Sequence, residues 1–200
     1  MMEHWPAMLA AYAAGSLPFG AWIARLRGVD ITKVGSGNIG ATNVHRTLGL
    51  GPALLVLALD VAKGLAPAWY GRLHGGVLLG LALGACAMLG HCFSPFLRFR
   101  GGKGIATGLG LLIGADPQVA LIALGLFLVT VGASRWISLG SIVAALSLFV
   151  SAAVLGRPAA AVALYLAMGL FATYRHRSNV ARILSGTEPR FHLRSSSRQG

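Results

Sequence analysis

The residues best suited to chemistry lie at positions 35–46, which read GSGNIGATNVHR. Glycines let a backbone bend so that several N–H groups point at one site, and serine, asparagine and arginine side chains add further donors. Such a segment suits a phosphate. It would also suit a plain turn between two membrane helices, and His45 could equally be a solvated loop residue. The residues expected to contact phosphate here are Ser36, Gly37, Asn38, Gly40, Asn43 and Arg46.

A second polar segment, RFRGGKG at residues 98–104, directly precedes a short apolar run. Glycines before a helix start leave N–H groups and the positive end of the helix dipole free for an anion. We therefore expect Gly101, Gly102 and Lys103 to bind phosphate. Arg98 and Arg100 better suit the excess of positive charge at the inner side of a membrane protein.

A third polar segment, YRHRSNVAR at residues 174–182, follows the last apolar run. If the segment is helical, His176 and Asn179 share one face. Arginines beside a membrane commonly contact anionic headgroups, a role that does not explain His176 or Asn179, so these two are the stronger candidates. Ser141 could add a hydroxyl to the same pocket, although such serines often bond back to their own helix.

Seven apolar runs must position these segments, and the composition is 56% hydrophobic with only five acidic residues. We predict an all-α polytopic membrane protein with seven transmembrane helices and a retained first span. The runs cover residues 7–24, 52–70, 77–97, 105–115, 119–133, 137–155 and 159–174.

Charge decides the topology, because most basic residues fall in alternate gaps between the runs. This distribution places the N-terminus outside, the C-terminus in the cytoplasm and all three polar segments on the cytoplasmic side. Merging the fourth and fifth runs would give six spans instead, so we predict a turn at Asp116–Pro117 on the outer side.

The net charge of +12 would suggest nucleic acid in a soluble chain, but here it serves membrane topology, so no nucleic-acid partner is expected. Cys86 and Cys92 lie in one apolar run and suit packing rather than a disulfide. Because the polar segments lack grouped carboxylates, histidines or cysteines, we expect no metal and no cofactor.

Taken together and in order, GSGNIGATNVHR, GGKGIAT and HRSNVARILSGTE resemble the three signature motifs of the bacterial acyl-phosphate:glycerol-3-phosphate acyltransferases, the PlsY family. The resemblance runs over nearly the whole chain and includes Asp60 and Lys63. It implies a seven-helix inner-membrane enzyme whose site faces the cytoplasm. It also implies one acyltransferase domain at residues 1–190, with residues 191–200 as a basic tail outside the family core.

The resemblance implies transfer of a fatty acyl group from acyl phosphate to the sn-1 hydroxyl of glycerol 3-phosphate, giving lysophosphatidic acid and phosphate. This reaction is the first step of phospholipid synthesis. Catalytic roles would fall on Ser36, Lys103, His176 and Asn179. The partners would be the two substrates, membrane lipids and a soluble phosphate acyltransferase that supplies the acyl phosphate.

The residues suit this chemistry, because a mixed anhydride has a good leaving group and needs mainly orientation and charge stabilisation. The proton acceptor stays open: it is either His176 or the phosphate of the donor, whose second pKa is about 6. The alternative class is a transporter of phosphorylated solutes. A transporter usually binds near the bilayer midplane, whereas only Asp60 and Lys63 lie that deep in this sequence.

Overall fold

The computed structural model describes residues 2–191, and these residues form helices and turns without a β-strand. Residues 192–200, most of the predicted basic tail, lie outside the described part. Two 3₁₀ turns, Met2–His4 and Pro95–Leu97, accompany the α-helices. The helices are α1 Trp5–Gly15, α2 Phe19–Arg25, α3 Ala41–Leu48, α4 Leu50–Cys92, α5 Ile105–Ala115, α6 Pro117–Ser134, α7 Ile137–Val154, α8 Ala159–Arg175 and α9 Arg177–Leu184.

Several of these helices are long and apolar enough to cross a bilayer, which confirms a multi-pass helical membrane protein. By length and composition, four stretches within residues 2–191 qualify. They are Trp5–Arg25, Leu50–Leu97, Pro117–Ser134 and Ile137–Val154. Ile105–Ala115 and Ala159–Arg175 are apolar but shorter than the roughly 20 residues of a full span.

Helix α4 is two helical segments joined by a sharp reversal at Gly75 and Gly76. Gly76 has φ of 71° and ψ of −168°, a conformation that residues with a Cβ rarely adopt. Residues 50–74 and 77–92 therefore pack side by side, and a Cβ on Gly71 would lie 2.7 Å from the carbonyl oxygen of Leu79. The second and third apolar runs of the sequence are thus separate segments.

The predicted break between the fourth and fifth apolar runs is confirmed at Asp116, where φ is −150°. The Asp116 carboxylate is buried and accepts hydrogen bonds from Arg157 Nε at 2.7 Å and Arg157 Nη2 at 2.8 Å. The hydroxyl of Tyr165 also donates to it, at 3.2 Å. These bonds hold the α5–α6 turn to the α7–α8 turn. Both turns lie at the ends of these helices that are opposite to the polar segments.

Glycines let α5 pack closely against the first segment of α4. A Cβ on Gly64 would lie 2.0 Å from Thr107 O, and one on Gly110 would lie 1.9 Å from Val61 O. Small residues of this kind allow backbones to approach in membrane helices. This contact fixes the start of α5, which follows the segment that contains Lys103.

Candidate active site

The first polar segment forms a loop between α2 and α3 that is held together by the buried side chain of Asn43. Its Nδ2 donates to the carbonyl oxygens of Ile31 at 3.3 Å, Val34 at 3.1 Å and Asn38 at 2.9 Å. Its Oδ1 accepts from the N–H of Ser36 at 2.9 Å. The prediction that Asn43 contacts phosphate is therefore corrected, because its amide is used within the loop.

Positive φ angles at Gly35 and Gly37, of 59° and 68°, turn the loop around Asn43. A Cβ on Gly35 would lie 2.3 Å from Asn43 Oδ1, so the loop closes on that amide. Ser36 is exposed at the tip of the loop. Beside it, Asn38 Oδ1 accepts from the N–H of Gly40, the N-cap of α3, at 2.9 Å.

The second polar segment runs against the end of α4. The N–H of Gly101 donates to Cys92 O and that of Gly102 donates to His91 O, both at 3.1 Å. This corrects the expectation of free N–H donors at these two glycines. They instead allow close approach, since a Cβ on Gly102 would lie 2.1 Å from His91 Nε2.

Arg175, the last residue of α8, closes this loop from the other side. Its Nη2 donates to the carbonyl oxygens of Gly102 at 2.6 Å and Gly101 at 3.1 Å, and its guanidinium lies 5.5 Å from the ring centre of Phe93. The backbone N–H and C=O groups of both glycines thus have partners within the protein. The loop is built as a rigid support for the next residue, Lys103.

The ammonium of Lys103 donates a hydrogen bond to Oδ1 of Asn179. The pKa of Lys103 is lowered to about 8, mainly by burial; nearby arginines such as Arg182 add to this effect, and Glu188 opposes it. The following residue, Gly104, is the N-cap of α5 with φ of 82°. Because glycine has no side chain to cap the helix, the first N–H groups of α5 lack that partner.

His176 lies at the junction of α8 and α9 and is buried. Its Nδ1 lies 2.8 Å from Ala172 O. Since a carbonyl only accepts, Nδ1 must donate its proton and the lone pair of the neutral ring lies on Nε2. Burial lowers the pKa of His176 to about 4, so the ring is neutral at pH 7.

A buried carboxylate, Glu188, orders the third polar segment. It accepts hydrogen bonds of 2.7 Å from Ser138 Oγ, Asn179 Nδ2 and Arg182 Nε. Burial raises the pKa of Glu188, but these three bonds outweigh it and hold the pKa below its usual value. Glu188 was not among the residues predicted from the sequence; the available signal was a single acidic residue within an arginine-rich stretch.

The three segments together line a cavity of about 230 Å³. Its walls are Ser36, Gly37, Asn38, Lys103, Arg175, Arg177, Ser178 and Arg182. Four of these residues are cationic and none is acidic, so the cavity suits an anionic group. The three arginines of this lining were not predicted, because arginines beside a membrane commonly contact lipid headgroups.

Four of the twelve predicted residues line the cavity, and the other eight lie outside the lining: Gly40, Asn43, Arg46, Gly101, Gly102, Ser141, His176 and Asn179. Arg46 Nη2 is 3.4 Å from Pro189 O, on the third segment, and Gly40 caps α3. Ser141 Oγ donates to Ile137 O in its own helix at 2.8 Å, which corrects the expectation that this hydroxyl donates into the pocket.

His45 is buried rather than solvated, with its ring 5.4 Å from that of Phe191. It therefore packs the first segment against the third and is not a solvated loop residue.

The fold and the cavity define a class: a multi-pass helical membrane protein with a cationic cavity at one end of its helices that suits a phosphorylated compound. Residues 5–186 match the model of the glycerol-3-phosphate acyltransferase family, and the chain belongs to that family. The family resemblance carried by the three motifs is thereby confirmed.

Relatives named as glycerol-3-phosphate acyltransferases match almost the full length of the chain. The protein from Thermus thermophilus is 46% identical over 194 residues, which cover 96% of both chains. Glycerol-3-phosphate acyltransferase 1 from Deinococcus radiodurans is 44% identical over 92% of this chain and 93% of its own length. These relatives are named as enzymes, which favours the acyltransferase over the transporter.

Two crystal structures of PlsY (YgiH), an integral membrane glycerol 3-phosphate acyltransferase, share the fold at 40% identity. The glycerol 3-phosphate form aligns with a TM-score of 0.89 over 93% of this chain and 94% of that chain. The lysophosphatidic acid form aligns with a TM-score of 0.86 over 94% of both.

Proposed function

We propose that this chain transfers a fatty acyl group from an acyl phosphate to the sn-1 hydroxyl of glycerol 3-phosphate. The hydroxyl oxygen attacks the acyl carbonyl carbon, the bond between that carbon and the phosphate oxygen breaks, and inorganic phosphate leaves. The products are lysophosphatidic acid and phosphate. The observation that carries the proposal is the cavity in which all three motifs meet around the ammonium of Lys103.

The cationic residues in and beside the cavity suit the two phosphate groups of this reaction. Lys103 and Arg46 bind the phosphates, whereas the guanidinium of Arg182 is paired with Glu188. Ser36 and Asn38 donate to the charge that develops on the acyl carbonyl or the leaving phosphate. Gly37, Gly101 and Gly102 shape the loops that hold these groups.

The proton of the sn-1 hydroxyl goes to the leaving phosphate. A phosphate with a second pKa of about 6 is a stronger base than His176, whose pKa is about 4. The Nε2 lone pair of His176 instead accepts a hydrogen bond from the sn-2 hydroxyl of glycerol 3-phosphate and so orients the substrate, which leaves the sn-1 proton free to reach the phosphate. Asn179 fixes Lys103 beside this group.

The site faces the cytoplasm of a bacterial inner membrane that the chain crosses seven times, with residues 1–190 as one domain. Impermeant thiol labelling of Arg100→Cys and Arg72→Cys, each in a Cys86→Ala/Cys92→Ala background, tests this topology. We expect Arg100→Cys to react only in inverted vesicles and Arg72→Cys only in right-side-out vesicles. Labelling of both variants from one side would contradict seven spans.

The function is tested by phosphate release from palmitoyl phosphate by the purified protein, with and without glycerol 3-phosphate. We expect release to require glycerol 3-phosphate and to be lost in Lys103→Ala. Lys33→Ala is the matched control, because the Lys33 side chain is 81% exposed and its ion-pair partner is Asp30. Absence of release by the folded wild-type protein would refute the proposed reaction.

A further inference from the structure

Two charged side chains in the first segment of α4 are buried within the helices, away from the cavity. Asp60 and Lys63 form an ion pair of 2.8 Å, and their side chains are 2% and 3% exposed. Ionisable groups inside a membrane protein are costly, so they usually serve a purpose that an apolar pair does not. The contacts of this pair indicate that purpose.

Lys63 connects the pair to the break between α1 and α2. Its Nζ donates to Leu17 O at 2.8 Å, directly before Pro18, which has no N–H and interrupts the helix. At the same break, the hydroxyl of Ser94 donates to Ser16 O at 2.6 Å. The start of the chain is therefore fixed both to the first segment of α4 and to the turn that follows α4.

Asp60 lies beside His91, the residue that supports the loop of Gly101 and Gly102, which we call the glycine loop. Asp60 Oδ1 lies 3.7 Å from Nδ1 of the buried His91, in the second segment of α4, which is a packing contact and not a hydrogen bond. The carbonyl of His91 accepts from the N–H of Gly102, and a Cβ on Gly102 would overlap the imidazole. The imidazole of His91 thus packs directly against Gly102, one residue before Lys103.

We propose that Asp60, Lys63 and His91 are positioning residues for acyl transfer. Together they fix the position of the glycine loop, and so of the Lys103 ammonium relative to the substrates. This inference rests on the proposed function. Catalysis depends steeply on such placement, since a displacement of about 1 Å can cost on the order of 100-fold in rate.

A structural pair and a positioning pair respond differently to removal of both charges. Replacing a buried ion pair by apolar residues of similar size is often neutral for stability, whereas removing one partner leaves an uncompensated charge. A pair that only stabilises the fold could therefore be replaced without loss of rate. A pair that places the glycine loop could not.

The test is the double variant Asp60→Leu/Lys63→Met in lipid vesicles, with kcat and KM for both substrates and the thermal unfolding temperature. We expect a folded protein whose kcat is lower on the order of 100-fold, with smaller changes in KM. The control is Asp30→Leu/Lys33→Met, an exposed pair with the same i, i+3 spacing, whose kcat should equal that of the wild type.

His91→Gln is measured in parallel, because it removes the ring beneath Gly102 and keeps both members of the ion pair. A similar fall in kcat is expected. Wild-type kcat in either variant that folds overturns the proposal. Wild-type protein in the same assay separates the two hypotheses, because its failure to release phosphate would contradict the proposed reaction itself.

Discussion

Asn179 lies between Lys103 and Glu188 and keeps the two charges apart. Glu188 Oε1 accepts from Asn179 Nδ2 at 2.7 Å, which turns Oδ1 of the amide toward the ammonium of Lys103. A neutral acceptor holds the lysine in place without neutralising its charge. The charge therefore stays available to a phosphate, which a direct ion pair with Glu188 would prevent.

Asn179→Asp should abolish this arrangement. A carboxylate at this position would pair directly with Lys103 and would face Glu188 as a like charge. We expect kcat/KM for glycerol 3-phosphate to fall more in Asn179→Asp than in Asn179→Ala, because the acid also repels phosphate. Steady-state phosphate release by both variants checks the order, and equal rates in the two would contradict this role of the amide.

The pH profile should show the ionisation of Lys103. Because its pKa is lowered to about 8, the free enzyme loses the ammonium as the pH rises through 8, and kcat/KM should fall above that value. The falling limb should move to higher pH in Lys103→Arg, since guanidinium stays protonated. A limb that keeps its position in this variant would assign it to another group.

Much of the fold could be predicted from hydrophobic pattern and turn residues. The apolar runs fall on helices, and the break at Asp116–Pro117 follows from a proline that favours the first turn of a helix. The number of membrane crossings stays a prediction, because several of these helices are shorter than a full span and Leu50–Leu97 is one long apolar stretch.

The candidate site could be predicted in its segments but less well in its individual roles. Residue types indicated phosphate donors, yet the amide of Asn43 and the N–H groups of Gly101 and Gly102 are used inside the protein. Only the folded chain shows which donors already have partners. In the same way, Arg175 could not be distinguished from a headgroup contact until its bonds to the glycine loop were known.

His176→Gln should lower the rate without changing the shape of the pH profile. With a pKa of about 4, His176 stays neutral between pH 6 and 9 and contributes no ionisation there. We expect kcat to fall by roughly 10-fold to 100-fold, because orientation of glycerol 3-phosphate is lost. A limb of the wild-type profile that disappears in His176→Gln would identify His176 as the base.

Gly102→Ala should inactivate the enzyme through Lys103. The new Cβ would lie 2.1 Å from His91 Nε2. The glycine loop must therefore move away from the His91 ring, and Lys103 moves with it. Gly132→Ala is the matched control, because no atom lies within 4 Å of a Cβ added there. Phosphate release should be lost in the first variant and kept in the second; a fully active Gly102→Ala would show that the loop tolerates the shift.

Glu188→Ala should destabilise the site from its centre. Without the carboxylate, Ser138 and Asn179 lose their acceptor in a buried place, at a cost of roughly 1–3 kcal/mol for each unsatisfied group.

Because the pKa of Glu188 is below its usual value, the stabilisation that its charge contributes is complete above the ordinary glutamate pKa of about 4.3. It is lost as the pH falls through the folded-state pKa. Thermal unfolding of Glu188→Ala at pH 7 measures the loss of the acceptor, and thermal unfolding of wild type and Glu188→Gln between pH 3 and 7 measures the effect of the charge. The two unfolding temperatures should differ at neutral pH and converge in acid, and a constant difference would mean that the carboxylate charge plays no part.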